Sequence, residues 1–121
     1  MTSIVSVAAF ADNETRRGIT QSDRARQAIL KKCYATPGYD ALPLVEKNQL
    51  YDRLKQARQR MIDFCHRGGT IDITDDMTAD HLEEIRGEAR YLDNDAKEDF
   101  YRRFYWLREM LRGMEKKNIP V

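Results

Sequence analysis

Apolar side chains recur every three or four residues in three separate stretches of this chain, and this spacing is the strongest constraint on its fold. Such spacing puts the apolar residues of each stretch on one side of an α-helix. Amphipathic helices bury their apolar sides by packing together, so the pattern predicts an all-α protein. The three rows are Leu50, Leu54, Ala57, Met61 and Phe64; Leu82, Ile85, Ala89 and Leu92; and Phe100, Phe104, Leu107, Leu111 and Met114.

Four helices are predicted within residues 20–121, and we expect them to form a single domain like a four-helix bundle. Proline suits the start of a helix and glycine the position just past its end. A single continuous helix from residue 79 onward is a competing interpretation of the third and fourth predicted helices. The pattern places the first helix from Thr20 or Ser22 to the Pro37-Gly38 turn, the second over 43–66, the third over 79–92 and the fourth over 96–116.

Two short polar residues are predicted to cap the third and fourth helices. The side chains of Thr and Asp accept hydrogen bonds from the first N–H groups of a helix, which have no partner within it. Thr78 precedes the third helix and Asp95 precedes the fourth. The polar run 93–95 favours a break between these two helices.

Residues 1–19 are expected to form a flexible or strand-like arm in front of the helical domain. The apolar residues of 4–7 suit a short strand. In residues 70–74 polar and apolar side chains alternate with a period of two, which is also typical of a strand. A lone strand is not stable, so two interpretations remain open. Residues 70–74 pair with residues 4–7, or they form an extended linker whose isoleucines fill the core.

The charge of the chain is balanced as a whole and divided locally. The net charge of +1 gives no general attraction to nucleic acid or to an acidic membrane surface. Residues 1–67 carry twelve Lys and Arg against seven Asp and Glu, whereas residues 72–99 carry eleven acidic residues against three basic ones. This division indicates either internal complementarity between packed helices or a binding face.

The two cysteines, Cys33 and Cys65, are predicted to be free thiols. The predicted hairpin of the first two helices separates them by about 30 Å at 1.5 Å per residue, whereas a disulfide needs Cα atoms within about 7 Å of each other. Free thiols fit a reducing compartment, so we expect a cytoplasmic protein. No apolar run approaches the roughly 18 residues of a membrane span, and no membrane association is expected.

No pattern typical of an enzyme or of a cofactor site stands out. His81 and Glu84 share a predicted helix face, but a bundle metal site needs further ligands on a facing helix. The aspartates of 72–76 lack the alternation and central glycine of a calcium loop, and the scattered glycines form no phosphate-binding loop. We therefore expect a non-enzymatic protein with no cofactor and no metal.

The second helix carries a basic flank beside its apolar row. Arginine and glutamine on one helix flank can contact phosphates and base edges, so nucleic-acid binding is one hypothesis. The competing interpretations are a solvated face or pairing with Asp80, Glu84 and Glu88 of the next helix. The candidate nucleic-acid-binding residues are Arg53, Gln56, Arg60 and Arg67.

Aromatic residues are concentrated at the start of the fourth helix, beyond what one core face needs. Tyr101 and Tyr105 form a row about 100° from the core row, and Trp106 points to a further side. Either this helix is central and buried on several sides, or these side chains form an interaction surface. We hypothesise a helical interaction or regulatory protein whose partner is another protein, with a homodimer as one form. A further alternative is an inhibitor that presents an acidic face to a nucleic-acid-binding enzyme. The candidate partner-binding residues are Tyr101, Tyr105, Trp106, Glu83, Glu84 and Glu88.

Overall fold

A computed structural model of the protein describes residues 21–117, of which 79% are helical. No strand occurs within this range, so the predicted all-α, bundle-like class is confirmed. The proposed arm, residues 1–19, lies outside the described residues. The elements are α1 (Gln21–Ala35), a 3₁₀ helix (Tyr39–Ala41), α2 (Leu44–Arg67), α3 (Ala79–Glu83), a second 3₁₀ helix (Arg86–Tyr91) and α4 (Asn94–Lys117).

Helices α1 and α2 form a hairpin, and the chain reverses where proline and glycine predict it. Gly38 has a φ of 79°, a left-handed conformation that suits a residue without a Cβ. Pro43, predicted in the first turn of the second helix, lies one residue before α2 in an extended conformation. At the other end, Gly68 has a φ of 77° and donates from its N–H to the carbonyl of Phe64 at 2.8 Å. The predicted end of this helix at the glycine pair is therefore confirmed.

Residues 70–74 form a linker without regular secondary structure rather than a strand. Ile71 and Ile73 are partly buried and pack against the main core cluster, as one of the two interpretations predicted. The other interpretation, pairing with residues 4–7, involves a segment outside the described residues.

The predicted third helix over 79–92 is wrong as a single α-helix, and so is the continuous helix from residue 79. The N–H of Ile85 donates to the carbonyl of Leu82 at 3.0 Å, an i→i−3 bond of 3₁₀ type. The 3₁₀ form has about three residues per turn, which puts Leu82 and Ile85 on one side, where both are fully buried. Gly87 weakens the competing α-helix, because glycine costs about 1 kcal/mol in a helix interior.

The cap of the third helix is confirmed and that of the fourth is wrong. The Oγ1 atom of Thr78 accepts a hydrogen bond from the N–H of His81 at 3.3 Å. At α4 the accepting carboxylate is Asp93, whose Oδ1 atom receives the N–H of Ala96 at 2.9 Å. The helix begins at Asn94, two residues earlier than predicted, so Asp95 already lies within its first turn.

The core is divided into two clusters, and α2 is the only described element that contributes to both. The smaller cluster lies between α1 and the first half of α2 and consists of Ile29, Cys33, Leu50 and Leu54. The larger lies between the second half of α2, the region around α3, and α4. Its largest fully buried side chains include Met61, Leu82, Ile85, Phe100, Phe104, Leu107 and Leu111.

Cys33 and Cys65 lie in different clusters, and both are buried. Both are free thiols, as predicted. Helix α4 runs antiparallel to α2, since His66 packs against Phe100 and Phe64 packs against Trp106. None of the helices within residues 21–117 has both the length and the apolar content that a membrane crossing requires.

Candidate functional site

The acidic residues predicted to bind a partner are ion-paired with basic residues of the protein itself. The carboxylate of Glu83 lies 3.0 Å from the guanidinium of Arg108 on α4. Glu84 lies 3.7 Å from the ammonium of Lys31 on α1. Glu88 lies 3.7 Å from the guanidinium of Arg58 on α2. The local charge division of the sequence thus corresponds, at these positions, to complementarity between neighbouring helices.

All three predicted aromatic residues contact other side chains of the fold, and the two tyrosines pack toward the α3 region, with Tyr105 still 40% exposed. Tyr101 is partly buried against the main core, and its ring stacks on that of Tyr105 with centroids 6.1 Å apart. The hydroxyl of Tyr105 accepts a hydrogen bond from Arg86 at 3.2 Å. The guanidinium of Arg108 covers the same ring, 4.6 Å from its centroid. The tyrosine row therefore serves packing between α4 and the α3 region.

Trp106 lies on the opposite flank of α4, facing α2, and remains 52% exposed. Its ring centroid is 5.5 Å from that of Phe64, which is buried in the main core. One side of the indole thus rests on the core, and the rest of it is open to solvent. Aromatic side chains so placed have part of their area available for a partner.

The predicted basic flank of α2 is divided by the fold. Arg53 pairs with Asp76, with 3.2 Å between Nε and the carboxylate. Arg60 and Arg67 are exposed and form no ion pair with any residue of 21–117. Both line one surface groove together with Phe64. Gln56 is exposed but does not line this groove.

These observations define a surface that we call the Arg–Trp face, formed by Arg60, Phe64, Arg67 and Trp106. It joins two residues of the predicted basic flank to one residue of the predicted aromatic row. Trp106 does not line the groove itself, and Phe64 links it to the arginines, because Phe64 lines the groove and contacts Trp106. Sequence reasoning assigned Phe64 to the core alone and did not place the two predicted sets side by side.

The groove of the Arg–Trp face also contains polar and acidic groups. Asp63 lines it and accepts a hydrogen bond from Gln59 at 3.1 Å, and Asp72 lines it from the linker after α2. Gly68 and Thr70 complete the lining on the linker side together with Ile71. Its charge is therefore mixed rather than uniformly basic.

A second apolar surface, at the tip of the α1–α2 hairpin, was missed by sequence reasoning. Leu44 is 72% exposed, and Val45 and Tyr34 are each 65% exposed. The available signal was that Leu44 and Val45 fall outside the apolar row that begins at Leu50. No charged or aromatic pattern of the tip indicates a particular partner.

A charged pocket lies where α1, α2 and α3 meet. The ammonium of Lys32 donates a hydrogen bond to the backbone carbonyl of Asp76, and burial lowers the pKa of this lysine. Burial also lowers the pKa of His81, and the Lys32 ammonium adds to this effect. The cavity between them has a volume of about 20 Å³, which is room for a single water molecule. A pocket of this size does not hold an organic substrate or cofactor.

Within residues 21–117 no three His, Cys, Asp or Glu side chains are arranged to hold a metal ion. No protein-family model, curated protein sequence or solved structure matches this chain significantly. The functional assignment therefore depends on the geometry of the described residues.

Proposed function

We propose that this protein is a non-enzymatic interaction protein that binds another protein through the Arg–Trp face. The observation that supports the proposal is the half-exposed indole of Trp106, whose ring contacts Phe64. Phe64 in turn lines a groove with Arg60 and Arg67, which have no ion-pair partners among the described residues. Two buried free thiols fit a reducing compartment, so we propose that the protein acts in the cytoplasm.

The composition of the Arg–Trp face supports a protein partner. Tryptophan and arginine are enriched among the few residues that provide most of the binding free energy in protein interfaces. Trp106 offers apolar area that is already held in place on one side by Phe64, so little side-chain freedom is lost when a partner covers it. Arg60 and Arg67 offer planar guanidinium groups that pair with carboxylates in a bidentate manner.

Nucleic-acid binding is the second candidate, and the same two arginines favour it. Guanidinium groups that pair with no carboxylate of the described residues, together with an exposed indole, suit phosphate contact and base stacking. Against it, Arg53 is neutralised by Asp76, and Asp63 and Asp72 bring negative charge to the groove. Protein binding is therefore the stronger proposal.

The acidic-face inhibitor receives less support than either. Glu83, Glu84 and Glu88 each have a basic partner within the fold. Presenting them to an external basic surface requires the loss of these internal ion pairs.

Affinity capture from the native cell, with and without nuclease, tests the protein-binding proposal. We expect the wild type to retain a partner protein even after nuclease treatment. The Trp106→Ala variant and the Arg60→Ala/Arg67→Ala variant should not retain this partner, whereas the Tyr91→Ala variant should. Tyr91 is the matched control, because it is 60% exposed and lies away from the groove. The captured protein, once purified, should bind the wild type in isothermal titration calorimetry with the same dependence on these variants.

Two outcomes contradict the proposal. Retention that disappears on nuclease treatment assigns the face to nucleic acid. Retention that is unchanged by Trp106→Ala places the interface elsewhere. A dimer seen by light scattering that Trp106→Ala converts to a monomer identifies the protein partner as a second copy of this chain.

A further inference from the structure

We propose that the segment that occupies the Arg–Trp face is a partner helix with two carboxylate side chains two turns apart and an apolar side chain between them. This inference depends on the proposed function, since it names the kind of protein segment that the face would bind. The spacing of the charged and aromatic groups on α2 and α4 supports it.

The groove is lined along α2 by Arg60, Asp63, Phe64 and Arg67, in that order. Arg60 and Arg67 are seven residues apart, which is two helical turns and about 10.5 Å along the axis. Positions seven apart lie on nearly the same side of a helix. Phe64 lies between them and lines the groove, and its largely buried ring contacts Trp106 of α4, which does not itself line the groove.

A helix laid along this groove has a matching repeat. Its side chains return to the same side after seven residues, over the same distance of about 10.5 Å. In a helix that runs parallel to α2, carboxylates at the two ends of this repeat meet Arg60 and Arg67, and an apolar residue four positions after the first carboxylate lies over Phe64, next to Trp106.

An extended strand matches the same three groups less closely. Strands rise about 3.3 Å per residue, so 10.5 Å corresponds to about three residues. Side chains three residues apart in a strand point to opposite faces, because the period is two. Side chains on one face of a strand lie about 6.6 or 13.2 Å apart, so a strand matches the 10.5 Å spacing less closely than a helix does.

The charges of the face favour discrete carboxylates over a continuous polyanion. Arg60 and Arg67 lack ion-pair partners within residues 21–117, so an incoming carboxylate displaces no internal pair of those residues. Asp63 and Asp72 line the same groove and repel a chain that carries a negative charge at every unit. Two carboxylates placed opposite Arg60 and Arg67 pair with the two guanidinium groups. No negative charge of the partner is then placed opposite Asp63 and Asp72.

The sole tryptophan of the chain makes the inference directly measurable, because Trp106 is part of the face. A ligand that covers its exposed half shifts the emission to shorter wavelength and protects the ring from acrylamide quenching. The probe is a synthetic peptide of about 18 residues, long enough to form a helix of five turns. It is rich in Ala and Gln, has Glu at two positions seven apart, and has Leu four positions after the first Glu.

The control peptide has the same composition, with the second Glu moved to five positions after the first. This places the two carboxylates about 140° apart around the helix, so they no longer reach both arginines. We expect the matched peptide to shift Trp106 emission and to bind about tenfold more tightly than the control peptide at low salt. The preference should be lost in Arg60→Ala/Arg67→Ala.

A matched double variant, Lys55→Ala/Arg102→Ala, removes two exposed cations of α2 and α4 outside the groove and should leave the preference unchanged. Far-ultraviolet circular dichroism of each variant establishes that the helices are intact. Equal binding of the two peptides, or no emission shift with the matched peptide, overturns the inference.

The two proposals fail in distinguishable ways. If capture of a partner protein depends on Trp106 but the matched peptide does not bind, the inference about the helix is wrong and the proposed function stands. If single-stranded oligothymidylate shifts Trp106 emission and needs Arg60 and Arg67, whereas the matched peptide does not, the face belongs to nucleic acid and both proposals are wrong.

Discussion

The guanidinium of Arg103 donates a hydrogen bond from Nε to the backbone carbonyl oxygen of Cys65 at 3.0 Å. Its Nη2 atom donates a second hydrogen bond, to the carbonyl of His66 at 3.1 Å. The last carbonyl groups of a helix have no partner within it, and a cation there also complements the helix dipole. Helix α4 thus supplies the cap for the C-terminal end of α2, next to the Arg–Trp face.

We expect Arg103→Ala to lower the free energy of unfolding by about 2 kcal/mol, because two helix-end carbonyls lose a charged donor. Arg103→Lys should recover only part of this, since an ammonium does not reproduce the planar geometry of the guanidinium. Urea denaturation followed by circular dichroism measures both. Arg102→Ala is the control: its side chain is 75% exposed and pairs with Asp99 at the surface, so the expected change is below about 0.5 kcal/mol. Equal losses for the two alanine variants would contradict the capping role.

The position of the α4 cap has its own test. Asp93→Ala should destabilise the protein by about 1 kcal/mol, because the N–H of Ala96 loses its acceptor. Asp95→Ala, in the first turn, should lose only the interaction of a carboxylate with the helix dipole, about 0.5 kcal/mol. Thermal denaturation of the two variants side by side distinguishes them. A larger effect at Asp95 than at Asp93 would restore the cap predicted from sequence.

The Cys65 thiol makes stability depend on pH in the alkaline range. Burial raises its pKa from an ordinary value of 9.0 to about 12, although the nearby Arg103 opposes the shift. Its contribution to stability is present below pH 9 and is lost as the pH rises toward 12. Between these values the loss attributable to this thiol is at most about 1.4 kcal/mol per pH unit.

The measurement for Cys65 is the free energy of unfolding of the wild type and of Cys65→Ala from pH 8 to 11. The free energy of unfolding of the wild type minus that of the variant should fall as the pH rises, because the variant lacks the titrating thiol. Native protein should also react with Ellman's reagent at pH 8 far more slowly than denatured protein, since Cys33 and Cys65 are both buried. Rapid labelling of both thiols in the native state would contradict this burial.

His81 makes stability depend on pH in the acidic range. Its pKa is lowered from an ordinary value of 6.5 by burial and then by the ammonium groups of Lys32 and Lys31, while Asp80 and Glu115 oppose the shift. The fold favours the neutral form of His81. The contribution of this residue to the free energy of unfolding is therefore fully present above pH 6.5 and is lost as the pH falls through the lowered pKa. His81→Gln, which cannot be protonated, should show a smaller loss between pH 7 and 5 in urea denaturation. An unchanged pH dependence in this variant would exclude His81 as its source.

Much of the fold follows from features that are local in sequence. Thr78 and Gly68 act where predicted, because a cap and a left-handed glycine depend on a few neighbouring residues. The apolar row of α2 is buried from Leu50 to Phe64, because helical spacing alone determines which side it occupies. The 3₁₀ form after α3 could not be predicted in this way. It depends on how tightly the chain must turn for Ile85 and Ala89 to reach the core.

The candidate site depends on contacts between elements distant in sequence, which is why only its parts were predicted. Tyr105 and Trp106 are neighbours in the chain but point about 100° apart. The rotation of α4 about its axis, relative to α2 and α3, determines that Tyr105 meets Arg86 and that Trp106 meets Phe64. The pairing of Glu84 with Lys31 likewise needs the position of α1 beside α3, which no local pattern contains.

The division of the core has a consequence for how the protein opens. Helix α1 contributes apolar side chains only to the smaller cluster, through Ile29 and Cys33, and reaches the α3 region through polar contacts of Lys31 and Lys32. Detachment of α1 therefore leaves the larger cluster intact. This detachment is a sub-global opening that costs less free energy than complete unfolding. Native-state hydrogen exchange should separate the amides into two protection classes, with those of α1 exchanging through the smaller opening and those of α4 only when the whole chain unfolds.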